Sequence, residues 1–115
     1  MVVHRGEVWW VDLAEPRGSE PGFRRPVIIV QEDLLNQSAL ATVMVVPITS
    51  NLRRARARGN VLLKQRDTGL TKDSVALACQ VLTVDELDLD ALVGALPQRV
   101  MNELDDGLRL TLSLS

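Results

Sequence analysis

The chain is expected to be mainly β with a C-terminal helix, an α+β unit built as a small, strongly curved antiparallel sheet or barrel covered by that helix. Three observations predict this. Short runs of β-branched and aliphatic residues, each bounded by Gly, Pro, Asn or Asp, follow one another as far as Val84. Beyond Pro97 the apolar residues settle into helical spacing instead. And 115 residues allow a single hydrophobic core, so residues 1–115 are read as one domain.

The elements follow in order. "GEVWWVDL" (6–13) reads as a first strand, and alternation sends its two tryptophans to opposite faces, so one of Trp9 and Trp10 belongs to the core. The turn-forming "AEPRGSEPG" carries the chain to "RPVIIVQ", apolar enough for burial on both faces, with Pro26 at the strand's beginning. "ATVMVVPITS" (41–50) is a third strand, with Pro47 near its end. "NLRRARARG" (51–59) is too polar for a core element and is expected to be a loop, mobile when unliganded. "NVLLK" and "DSVALACQVLTV" predict two further strands around a turn at Gly69. Asp85 is placed to N-cap a short helix through "VDELDLDAL", and "VGALP" supplies another short strand. Pro97 suits the first turn of the last helix, whose stripe is Val100, Met101, Leu104, Leu108 and Leu112. Gly107 weakens that helix by about 1 kcal/mol relative to Ala, so it must rely on docking.

Composition removes several function classes. Hydrophobic residues make up 46% and charged residues 24%, as in ordinary globular proteins. No apolar run approaches the roughly 20 residues that cross a bilayer, and "MVVHRGEVWW" has no signal-peptide architecture. A cytoplasmic protein without a membrane partner is expected. Cys79 has no second cysteine to pair with and is expected to be buried in "SVALACQVL". His4 is the sole imidazole and is expected at the surface; with no HExxH or CxxC pair, neither a metal nor a cofactor is expected. There is no GxSxG and no glycine-rich phosphate loop.

The net charge of -2 conceals an uneven distribution. Residues 34–66 contain no Asp or Glu but carry Arg53, Arg54, Arg56, Arg58, Lys64 and Arg66. From 85 to 106 seven carboxylates stand against Arg99 alone. Such asymmetry can give an acidic protein one strongly positive face, suited to a polyanion. A toolkit of Arg, Thr, Ser, Asn, Gln and carboxylates suits phosphodiester chemistry on RNA, where the substrate brings its own nucleophile as the 2′-hydroxyl. A guanidinium matches two phosphate oxygens and keeps its charge when partly buried, and Arg25 at the mouth of the second strand is well placed for that.

"RGEVWWVDL", "GSEPGFRRPVIIVQ", "TVMVVPITSNL", "GNVLL", "TGLTKDSVALACQVLTVD", "VGALP" and "LDDGLRLTL", in that order over nearly the whole chain, resemble the MazF family of toxin endoribonucleases. The resemblance implies an SH3-like barrel of the plasmid-toxin (CcdB/Kid/MazF) type, a homodimer, and metal-independent, sequence-specific cleavage of single-stranded RNA to 2′,3′-cyclic phosphate and 5′-hydroxyl ends. It further implies a cognate MazE-like antitoxin whose acidic segment covers the positive groove. Residue by residue, the family's "RP" step falls on Arg25, as phosphate stabiliser and candidate general acid or base, and its "TSN" step on Thr49, whose hydroxyl would bond a phosphate oxygen. Ser19 and Glu20 match a loop bordering the site. Arg24, Ser50, Asn51 and Gln80 are candidate substrate contacts, and Arg53 and Arg54 would extend the groove. Cys79 stands where relatives carry the serine of a Ser-Gln pair. The general base is left open between Asp73, Ser74 and neither, because one step of register reverses a side chain's face. A competing expectation on the same barrel is a non-catalytic toxin that binds gyrase or nucleic acid.

Overall fold

The computed structural model describes residues 2–12 and 24–115. Seven strands, β1 (Glu7–Asp12), β2 (Arg24–Ile29), β3 (Thr42–Thr49), β4 (Val61–Leu63), β5 (Ser74–Ala76), β6 (Leu82–Asp85) and β7 (Leu89–Ala95), form one antiparallel sheet. Their order is β4-β5-β3-β2-β1-β7, with β6 also paired to β3. The path stays open between β4 and β7 among the described residues, so the predicted curved sheet stops short of a closed barrel.

The apolar runs of β1 to β3 are buried on both faces, as their composition demands. One set of alternating positions, Trp9, Val11, Val27, Ile29, Val43 and Val45, packs with Val84 and Leu89, so the sheet curls around a core supplied by its own strands. The other set, Val8, Ile28, Val46 and Ile48, meets Val100, Met101 and Leu104 of the helix α3 (Gln98–Leu112). Burying each of those three helix side chains contributes about 1.5–3 kcal/mol, which outweighs the glycine in the helix. Trp9 therefore lies in the core, while Trp10 faces the other way and is only half-buried.

Gly107 proves to be a packing requirement. A Cβ there would stand 2.1 Å from the carbonyl oxygen of Gly59, so only a glycine lets α3 lie this close to the turn before β4. The last part of the predicted stripe behaves differently from the first: Leu108 is half-buried and Leu112 is exposed.

Four expectations are corrected. "DSVALACQVLTV" is two strands, because β5 pairs with the end of β3 and β6 with its beginning. A 3-10 turn at Ala78–Gln80 takes up the difference in register, and Leu77 N–H donates to the carbonyl of Pro47 as the chain leaves β5. That turn buries Ala78 and rotates Cys79 outward, so the thiol is exposed, contrary to expectation. Asp85 does act as an N-cap, accepting from Leu87 N–H at 2.9 Å, but the turn it starts ends at Asp88 and the chain becomes β7. The segment expected to be a loop contains a 3-10 turn, Leu52–Arg56, because Asn51 Oδ1 accepts from Arg53 N–H and Asn60 Nδ2 donates to the Arg54 carbonyl. Two one-turn helices that periodicity could not show are α1 (Asp33–Asn36) and α2 (Gln65–Thr68).

Arg5 joins three elements: its N–H donates to Asp33 Oδ1 at 2.7 Å, its Nε to the Val30 carbonyl, and its Nη2 to Asp105 of α3. His4 is exposed. No helix among the described residues is long and apolar enough to cross a membrane.

Candidate functional site

A cleft of about 550 Å³ opens where β2 enters the sheet. The pairing of β2 with β3 ends at Val27 opposite Pro47, and the same register carried outward sets Arg25 against Thr49. Pro26 costs no hydrogen bond on the β3 side, since that pairing begins only at Val27. Arg25 and Thr49 are both half-buried and both line the cleft. Thr49 Oγ1 accepts from Asn51 N–H at 3.2 Å, which leaves the hydroxyl proton available to a ligand.

The facing wall is the turn from Gly69 to Lys72, with Ser74 behind it. Gly69 caps α2 in the left-handed conformation (φ 82°), and a Cβ there would press on the Val93 carbonyl at 3.1 Å. Glycine is what lets this turn rest on β7. Ser74 is buried and donates to the Lys72 carbonyl at 3.1 Å. Asp73 is committed elsewhere: it accepts from Gln65 N–H at 2.9 Å and lies 3.7 Å from Lys64 Nζ. Of the two candidates for a base left open by the sequence, Ser74 lines the cleft and Asp73 does not.

The third side is Trp10, Arg24 and β7. The Arg24 guanidinium sits over the Trp10 ring, 4.5 Å from its centroid, and is paired with Asp90 at 2.8 Å. The lining thus brings together three cations, Arg24, Arg25 and Lys72, with the hydroxyls of Thr49, Ser50 and Thr71. Among the described residues no carboxylate lines it. Such a site can hold an anion with several oxygens and stabilise added negative charge on it.

The sequence matches the PemK-like, MazF-like toxins of type II toxin-antitoxin systems over residues 4–112. The chain belongs to the MazF-like toxin family. It is 45% identical over 114 residues to Endoribonuclease MazF6 of Mycobacterium tuberculosis, covering 99% of this chain and 100% of that one. It is 33% identical over 114 residues to Endoribonuclease EndoA of Bacillus subtilis, covering 99% and 97%. Its fold matches an endoribonuclease solved in complex with its cognate antitoxin from a mycobacterial species, with a TM-score of 0.76, 24% identity and coverage of 99% and 96%.

In this MazF-like chain the predicted site residues divide into four groups. Arg24, Arg25, Thr49 and Ser50 converge on the cleft. Asn51 sits just behind it, as donor to Thr49 and cap of the next turn. Arg53 and Arg54 are exposed on that turn, outside the lining, and Gln80 lies in the 3-10 turn packed near α3, with its Oε1 buried and unbonded among the described residues. Ser19 and Glu20 lie outside the described residues. Sequence reasoning missed Trp10 and Lys72 as parts of this site. The register of β1 against β2, which puts Trp10 beside Pro26, and the position of Lys72 after the "TGL" turn are the signals that would have found them.

Proposed function

We propose that this chain is the toxin of a type II toxin-antitoxin pair, a sequence-specific endoribonuclease that cuts single-stranded RNA without a metal and so arrests translation and growth. The observation that carries this is the convergence of Arg25, Thr49 and Lys72 on one cleft. The substrate's 2′-hydroxyl gives up its proton to solvent as its oxygen attacks the adjacent phosphorus, the P–O5′ bond breaks, and O5′ takes up a proton from solvent. The products are a 2′,3′-cyclic phosphate and a 5′-hydroxyl. Arg25 stabilises the charge that grows on the non-bridging oxygens, and the Thr49 hydroxyl donates to one of them.

The reading includes a homodimer and an antitoxin, acting in the cytoplasm. The front of the α3 stripe and Trp9 are consumed by the chain's own cores, but exposed apolar side chains remain beside and beyond them, among them Leu62 and Leu110, which share a groove between β4 and α3, and Leu112 and Leu114. An acidic antitoxin segment would suit the cations of the cleft.

The test is incubation with a long, unstructured RNA in excess EDTA, followed by mapping of every new 5′ end. Cuts at a recurrent short sequence with 5′-hydroxyl ends are expected, and none from Arg25→Ala despite a native fold. A folded parent that cuts none of several RNAs, or a variant that cuts at the parent rate, overturns the proposal.

A further inference from the structure

The strand β7 does not pair evenly with β1. Its register runs Val8 to Gly94, Trp9 to Leu92, Trp10 to Ala91 and Val11 to Leu89, leaving Val93 and Asp90 as extra residues of two irregularities that bracket Trp9 and Trp10. Extra residues of this kind re-aim side chains beside sites. Val93 lines the cleft, and Asp90 reaches the cleft's own arginine.

Arg24 Nε and Nη2 both donate to Asp90 Oδ2, at 3.1 and 2.8 Å, while the guanidinium covers the Trp10 ring. Two donors on one acceptor, together with an aromatic ring below, fix the position of the guanidinium. Roughly half of the Arg24 side chain remains exposed, at 47%. Its charge is balanced by Asp90, which weakens its claim on a phosphate, whereas its planar face needs no free charge to stack on a π-system. Arg25, next in sequence, is half-buried and lines the same cleft.

We propose that Trp10, Arg24 and Asp90 form a preorganised platform on which a nucleobase of the RNA beside the scissile phosphate stacks, with the Arg24 guanidinium as the stacking plane and Asp90 as its positioning residue. This rests on the ribonuclease reading above and adds to it the element that holds a base. Single-stranded RNA is recognised by splayed bases stacked on aromatic rings and guanidinium planes. The arrangement also explains why an aspartate stands beside a cleft that receives a polyanion: it trades some attraction for phosphate for a fixed stacking surface.

The test uses the full chain with Trp9→Phe, which leaves Trp10 as the sole indole. Its emission is followed while 2′-O-methyl oligonucleotides of each base, which resist cleavage, are titrated in, beside an abasic strand of equal charge. Base-bearing strands should perturb Trp10 and bind about tenfold or more tighter than the abasic one. Arg24→Lys keeps the charge but lacks the plane, and should lose most of that difference. Asp90→Asn should raise KM for RNA more than it lowers kcat, with Asp90→Glu restoring part of the loss. Equal binding of the abasic strand, or an Arg24→Lys variant matching the parent, overturns the platform while cleavage of RNA by the same preparation leaves the ribonuclease reading standing. A folded protein that neither cuts RNA nor binds any strand overturns both.

Discussion

Replacing Gly107 by Ala tests the packing of α3 by setting two effects of opposite sign against each other. Helix propensity alone favours Ala over Gly by about 1 kcal/mol in a helix interior. The structure opposes that gain, because the new Cβ would lie 2.1 Å from the Gly59 carbonyl oxygen, 3.0 Å from its carbon and 3.4 Å from Ala78 Cβ. A carbon–oxygen contact needs about 1 Å more than this. The obstruction is backbone, which no rotamer change relieves, and Gly59 itself is held at φ 90°, where a Cβ would in turn meet Thr111 Oγ1 and the Gly107 carbonyl of the same helix. Forcing α3 away strains the contacts of Val100, Met101 and Leu104, and overpacking of this kind costs about 1–3 kcal/mol. A Cβ set against backbone this closely lies at the upper end of that range, about 2–3 kcal/mol, so the clash outweighs the propensity gain and Gly107→Ala should lower stability by about 1–2 kcal/mol. For a chain of this size that is a fall in Tm of about 4–10 °C. Thermal unfolding followed by circular dichroism reads it directly. A variant as stable as the parent, or more so, would show that α3 does not approach the Gly59 turn this closely.

Three further outcomes follow from the site and its supports. Thr49→Val keeps the shape but loses the hydroxyl donor, and should lower kcat about a hundredfold in single-turnover RNA cleavage, while Thr49→Ser keeps most of it. Lys72→Ala removes one cation from the cleft and should reduce the slope of log affinity against log salt by about 0.7, with the cleavage pattern unchanged. Asp33 is held below its usual pKa, first by the Arg5 N–H, then by the Asn36 amide, with burial opposing. A depressed carboxylate contributes stability that is present at neutral pH and lost as pH falls through the folded pKa, below the ordinary aspartate value. Urea unfolding should show Asp33→Asn less stable than the parent by about 1 kcal/mol at neutral pH, with the gap closing in acid below the ordinary carboxylate range. A gap that stays constant across that window would remove the charge from the explanation.

The strands were legible where apolar residues ran uninterrupted between turn formers, as in "VIIV" and "TVMVVPIT". They were illegible where tertiary pairing decides. Nothing local in "DSVALACQVLTV" marks a break after Ala76; it arises because β3 takes β5 along one part of its edge and β6 along another. The same 3-10 turn exposes Cys79, whose apolar neighbours suggested burial. Asp85 announced its capping role through residue type, but how far the helix after it would run depended on β7 pairing with β1. Gly107 read as a weakness, because its partner Gly59 is remote in sequence.

The cleft shows the same division at the level of function. Arg25 and Thr49 could be named from sequence because the family resemblance carries its "RP" and "TSN" steps onto them, and the register of β2 against β3 sets them against each other. The resemblance also separates Arg25, inside the "RP" step, from Arg24, a candidate substrate contact just before it. What the sequence does not show is Asp90, distant in sequence and presented by an irregularity in β7, as the partner of Arg24. An exposed, paired guanidinium gains little from a phosphate, because solvent screens it and a carboxylate already neutralises it. A half-buried guanidinium acts through a lower effective dielectric, and its interaction with charge developing on the phosphate is correspondingly larger. Under the two proposals together, two adjacent arginines divide the work, Arg25 at the phosphate and Arg24 at the base beside it.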